Sequence, residues 1–329
     1  MATKTPRQAG PAPRESVVQW LLDSDPSIRW QVMRDVVGES EEMIARVRER
    51  VATEGWGSKL LDRQRSDGNW GDGSSCPQWQ STLGTFVLLR ELGLDPASER
   101  ARSAVGLLRD QVTWGPEFGD SPFFEGEVEP CINGRVLSLG AYFGQPSGRL
   151  LERLLGEQLL DGGWNCEAER GSVRSSFHTT ICVLEGLLEY ERANGATARV
   201  TDARLRGEAY LLERRMFRRL STGEVIKDRN GDHDWTQFAF PTAWHYDVLR
   251  GLDYLRAADV EPDERVAEVI GHVEERRNLD GRWPLAVTHR DPAEFDMEGG
   301  AGEPSRWNTL RALRVLDWYS GRRGTGSPS

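Results

Sequence analysis

The chain of 329 residues predicts an all-α fold, a closed ring of six helical hairpins. Three observations predict it: a turn that recurs along the chain, helix-period apolar runs around each copy, and six segments with one kind of opening. The turn reads Gln64-Arg65-Ser66-Asp67-Gly68-Asn69-Trp70-Gly71, then Gln158-Leu159-Leu160-Asp161-Gly162-Gly163-Trp164, then Arg277-Asn278-Leu279-Asp280-Gly281-Arg282-Trp283. An altered copy, Gln111-Val112-Thr113-Trp114-Gly115, lies midway between the first two, at a constant 47-residue step. A fixed period of this size marks a repeat architecture.

The elements follow in order. Before the second clear turn, Leu150, Leu151, Leu154, Leu155 and Leu159 show the 3.6-residue period of a helix. Glycine in the turn stops that helix, and the aspartate beside it favours a tight bend. A second helix then opens on polar and aromatic residues. Trp79-Gln80-Ser81-Thr82 parallels Trp307-Asn308-Thr309, and Phe177-His178-Thr179-Thr180 parallels Trp244-His245-Tyr246-Asp247. Inner helices are expected to begin near Ser27, Pro77, Cys131, Phe177, Ala243 and Ser305. Outer helices are expected near 16–23, 41–53, 98–110, 148–158, 202–217 and 263–276. The inner helices read as apolar almost all round, so they form the buried wall, with their N-terminal ends at one rim. Connections 218–243 and 285–304 exceed simple turns and read as lids or binding loops. Residues 1–14 read as a disordered lead, 15–320 as one domain and 321–329 as a flexible tail.

Composition narrows the function. The net charge is −10 and there is no basic run, which argues against nucleic acid and anionic membrane surfaces. No apolar run approaches the roughly 20 residues of a membrane helix. Cys76, Cys131, Cys166 and Cys182 have no CxxC spacing, and no secretion signal precedes them. Reduced thiols in a cytoplasmic protein are the expectation.

The Q-x-x-D-G-x-W turn resembles the QW motif of squalene–hopene and oxidosqualene cyclases. It also resembles the glycine-rich turns of protein prenyltransferase β-subunits. The resemblance runs from about Pro26 to Tyr319 and implies an (α/α)6 toroid with a deep aromatic-lined cavity. It implies a terpene cyclase-like or prenyltransferase-like enzyme acting on an isoprenoid or other lipophilic substrate. The D-x-D-D acid of the cyclases is absent; the nearest stretch is Asp232-His233-Asp234. No DDxxD for magnesium and diphosphate is present either.

The prenyltransferases hold zinc with an Asp-x-Cys pair and a His that opens an inner helix in the next repeat. This chain has Glu129-Pro130-Cys131 and then Phe177-His178-Thr179-Thr180-Ile181-Cys182. The resemblance therefore implies Glu129, Cys131 and His178 as zinc ligands, with a fourth position for water or substrate. Cys166 is a candidate fourth ligand that would close the site. Packing is the alternative reading for Cys131 and His178, and the expected role of Cys182. Glu129 stands where the family has Asp, and the stretch where the family carries Arg and Lys holds Glu125 and Glu127 instead; these three carboxylates would repel a diphosphate.

His245, Asp247, Glu125 and Asp234 are candidate proton-handling groups. Asp247 reads equally as a helix cap and His245 as a metal ligand. Trp30, Trp79, Phe124, Phe177, Trp244, Tyr246 and Trp307 are candidates for binding an apolar chain or stabilising a cation, or else for packing. The expected reaction is zinc-assisted cyclisation, isomerisation or alkyl transfer without a diphosphate site. The alternatives are a metal-free terpene cyclase with an unorthodox Asp acid, and a non-enzymatic toroid that binds a lipophilic ligand or a partner. A protein partner or a homodimer stays open.

Overall fold

A computed structural model describes residues 14–71, 78–227, 234–289 and 297–321, with residues 78–80 described by backbone alone. Thirteen α-helices occupy these residues. They are α1 Arg14–Leu22, α2 Pro26–Val32, α3 Glu41–Glu49, α4 Gly55–Leu61, α5 Gln78–Leu92, α6 Glu99–Gln111, α7 Pro130–Tyr142, α8 Gly148–Gly156, α9 Phe177–Asn194, α10 Ala198–Glu213, α11 Val248–Ala257, α12 Ala267–Glu275 and α13 Arg306–Tyr319. The strands among the described residues are one two-residue pair, Trp283–Pro284 with Pro304–Ser305.

Six inner helices close into a ring. From α2, Trp30 Nε1 donates to Leu92 O at 3.0 Å and Gln31 Nε2 to Glu91 O at 3.1 Å, both on α5. Phe86 of α5 stacks on Phe143 at the end of α7, with centroids 4.5 Å apart. Helices α7 and α9 pack closest of all. A Cβ on Gly134 would stand 2.5 Å from Cys182 O, and one on Gly186 would stand 2.3 Å from Gly134 O. Only glycine permits this backbone contact. Arg250 of α11 grips Glu185 of α9, α11 packs along α13, and Arg314 of α13 donates to Gln31 of α2 at 2.8 Å. The expected all-α toroid is what the chain forms.

The three clear turns share one hydrogen-bond pattern. The indole N–H of Trp70, Trp164 and Trp283 donates to Leu60 O, Leu154 O and Val273 O on the preceding outer helix, at 2.6–2.7 Å. The backbone N–H of each Trp donates to Thr82, Thr180 or Thr309 in the next inner helix, at 3.0–3.1 Å. Gln64 and Gln158 each bridge the turn glycine's carbonyl to the following outer helix, at Ala104 O and Ala203 O. The shared threonine sets the true register. Trp307 matches His178 rather than Phe177, one residue away from the alignment by aromatics. The altered copy folds differently: Trp114 Nε1 donates forward to Phe123 O at 2.9 Å.

Several boundaries differ from expectation. α11 begins at Val248, not near Ala243, because Asp247 caps it by accepting from Arg250 N at 2.7 Å. Trp244, His245 and Tyr246 therefore lie in the preceding loop. α10 starts at Ala198 because Thr197 caps it, and α4 is an additional helix. Within the long connections, Ala286 N donates to Phe238 O at 3.0 Å, so their described parts lock together over the rim. No described helix is long and apolar enough to cross a membrane. Cys76, Asp232 and His233 lie outside the described residues, as do 1–13 and 322–329.

Gln158→Ala should lower stability by about 1–2 kcal/mol, because two carbonyls lose their donor. Gln111→Ala, at an exposed position of the altered copy, should change it by less than about 0.5 kcal/mol. Urea midpoints of both variants check this; equal shifts would contradict the role given to the turn.

Candidate functional site

At the N-terminal rim, α7 opens with Glu129 as its cap residue, Pro130 at the first helical position and Cys131 next. Glu127 fixes this turn: Glu129 N donates to Glu127 Oε1 at 2.7 Å, and Asn133 Nδ2 donates to Glu127 O at 3.0 Å. Burial pushes the Glu127 carboxyl above its ordinary pKa. Arg153 of α8 donates to the carbonyls of Glu127 and Val128.

Two residues past the Trp164 lock, a short 3₁₀ turn presents Cys166. Its N–H and its Sγ both lie 3.4 Å from Thr179 Oγ1 on α9. One ligand atom each from Glu129, Cys131 and Cys166 lies within 4.8 Å of the others. Cys131 Sγ lies 3.6 Å from Glu129 Oε2, and the proximity of the two thiols raises the Cys131 pKa and lowers that of Cys166. A carboxylate and two thiols at this separation match zinc's donor preferences.

His178 is not in that group, which corrects the ligand set implied by the family. It turns towards α11 instead. Its Nδ1 accepts the Tyr246 N–H at 2.8 Å, so the neutral ring carries its proton on Nε2. Its ring edge meets Trp235, Trp244 and His245 at centroid distances of 5.2–5.9 Å. Cys182 is buried, with Sγ 3.7 Å from Arg250 Nη2.

A cavity of about 20 Å³ beside the rim gathers His178, His245, Asp234 and Asp247. It also holds His289, which sequence reasoning missed and which stacks on His245 at 3.7 Å. The only available signal was arithmetic: three of the five histidines meet here. Asp247 is buried, which raises its pKa, and it accepts from Arg250 N and Ala239 N as a helix cap. Glu125 lies elsewhere: it pairs with Arg149 and accepts from Ser147 at the start of outer helix α8.

The ring encloses a cavity of about 400 Å³. Trp30 and Trp307 line it, with Phe240 stacked on Trp307 at 4.4 Å. The rest of the wall corrects the aromatic-lined picture. Eight arginines and four carboxylates face this space. Arg90 pairs with Glu189, Arg250 with Glu185 and Arg256 with Asp253. Among the other aromatic candidates, Phe124, Phe177 and Tyr246 are buried in ring clusters with neighbouring aromatics. Trp244 is 40% exposed. The side chain of Trp79 lies outside the described residues.

No protein-family model and no curated protein matches the chain. Among solved structures, it is similar to the type II terpene cyclase MstE from Scytonema in its apo form. Identity is 18%, over 92% of this chain and 98% of that one, with a TM-score of 0.45. A variant of the same cyclase in complex with geranylgeranyl dihydroxybenzoate, its substrate, is 19% identical over 91% and 87%, also at 0.45. The ring architecture stands on the helix pairings above and not on this likeness.

Burial opposes ionisation of Asp35, but Arg314 and Arg34 hold its carboxyl well below the usual range. Asp35→Asn should cost about 3 kcal/mol by leaving Arg314 buried without its counter-charge. The Asp35 contribution should be complete above the unfolded carboxylate pKa of about 4 and fade as pH falls below it. Urea unfolding of both proteins between pH 7 and pH 3 checks this. A gap that does not narrow on acidification would refute it.

Proposed function

We propose that this chain is a zinc enzyme of the cyclase and prenyltransferase kind, acting on an isoprenoid or another lipophilic substrate. The observation that carries the metal is the convergence of Glu129, Cys131 and Cys166 within 4.8 Å. Zinc bound there would supply Lewis acidity or activate a bound nucleophile at its open position. The protein holds the ligands ready: Glu127, Asn133 and Arg153 brace the Glu129 turn, and Thr179 positions Cys166. His178, with its proton on Nε2, and its neighbour His245 are the proton-handling groups offered on the α11 side. Trp30, Phe240 and Trp307 offer an apolar wall for a hydrocarbon body and a ring face for a cation.

A second reading is a metal-free cyclase with Asp247 as the acid. Its support is the burial that raises the Asp247 pKa and the small cavity it lines. Against it, both carboxylate oxygens already accept backbone N–H groups. A carrier of an apolar ligand is the non-enzymatic alternative.

Plasma mass spectrometry on the wild type and three variants separates these readings. About one zinc per chain is expected, lost in Cys131→Ala and Cys166→Ala and kept in His178→Ala. Protein that stays zinc-free after reconstitution would sink the zinc reading. Turnover of an isoprenoid that survives chelation but not Asp247→Asn would establish the second one.

A further inference from the structure

The central cavity carries more positive charge than its ion pairs use. Arg48 spends its donors on neutral oxygens, Gly93 O at 3.0 Å and the Tyr142 hydroxyl at 2.9 Å. Arg192 donates to Ala257 O. Arg314 binds Gln31 and shares Asp35 with Arg34, yet its buried Nε has no hydrogen-bond partner. Trp307, which also lines the cavity, has a buried Nε1 without a partner. Partial desolvation lowers the pKa of Arg192 against the pull of Glu189, and burial lowers that of Arg314 against Asp35 and Asp253.

We propose that the central cavity binds a compact oxyanion with two or more negative charges, held by Arg48, Arg192 and Arg314. The occupant is a phosphate- or carboxylate-bearing small molecule. Guanidinium forks match such groups in charge and geometry. The volume of about 400 Å³ suits a small molecule. Trp30, flanked by Arg34 and Arg48 at 4.6 and 5.3 Å, and the Trp307–Phe240 stack give an apolar rest for its remainder. In a chain of net charge −10, this inward positive field draws anions to the cavity and not to the outer surface. The cavity is the one the proposed function gives to the substrate, but none of these residues is a proposed metal ligand, so anion binding and metal binding are tested separately.

Isothermal titration of the full chain with inorganic diphosphate, and separately with citrate, tests it. Sodium chloride at matched ionic strength is the control. Saturable one-to-one binding of at least one anion is expected. Tighter diphosphate binding assigns a phosphate-bearing occupant, and tighter citrate binding a carboxylate-bearing one. Arg48→Gln combined with Arg192→Gln should weaken binding about tenfold or more, the loss of roughly one strong charge-assisted contact. Arg192→Gln alone is the milder variant if the pair unfolds, and it should still weaken binding severalfold. Binding retained in Cys166→Ala separates this site from the metal. Heat no greater than the chloride control for both anions, or folded arginine variants that bind like the wild type, would overturn it.

Discussion

The backbone N–H of Trp164 reaching the Thr180 hydroxyl is the contact on which the candidate metal site depends. It fastens the end of one hairpin to the first turn of α9. Two residues later the same pattern repeats one step along the helix, with Cys166 N against Thr179 Oγ1. The fold's fastening and the placement of a reactive sulfur are thus one continuous piece of chain. Because Gly134 and Gly186 let α7 lie directly on α9, Cys131 stands opposite that sulfur. A bulkier seam would separate the two thiols whatever their own conformations.

The interior poses a second problem, charge. Burying arginines costs several kcal/mol each unless they are paired and hydrogen-bonded. Here three of the pairs run between different staves of the barrel: Arg250 to Glu185, Arg90 to Glu189, Arg314 to Asp35. The charges therefore help close the ring while they line its centre. Removing one partner leaves the other stranded at low dielectric, so these pairs hold the geometry of the cavity as well as its sign.

Much of this was legible in the sequence, for identifiable reasons. The turn spacing disclosed the hairpins because glycine, aspartate and tryptophan each have a fixed task in that bend. Glu129 and Cys131 were singled out through the pattern around them, and Cys166 as a candidate further ligand; the structure brings the three side chains together. His178 was singled out through the Phe-His-Thr stretch that opens α9, but its ring turns to the loop before α11, where Nδ1 accepts the Tyr246 N–H. The start of α11 was misread because the cap at Asp247 leaves Trp244 to Tyr246 outside the helix. The charged cavity was hidden by reading inner helices from their apolar openings. Glu185, Glu189 and Arg192, or Arg311 and Arg314, recur at three- and four-residue steps in their later turns. Such spacing marks one face, and only closure of the ring reveals that this face looks inward.

The tryptophan fastenings fall on α5, α9 and α13, every second stave of the barrel. The ring thus has a hidden threefold rhythm, with α2, α7 and α11 clasped between fastened neighbours. Cys131 belongs to a clasped stave and Cys166 to a fastening. Anything that joins their sulfurs would act as a rivet across that alternation, making the rim's stiffness depend on its occupancy.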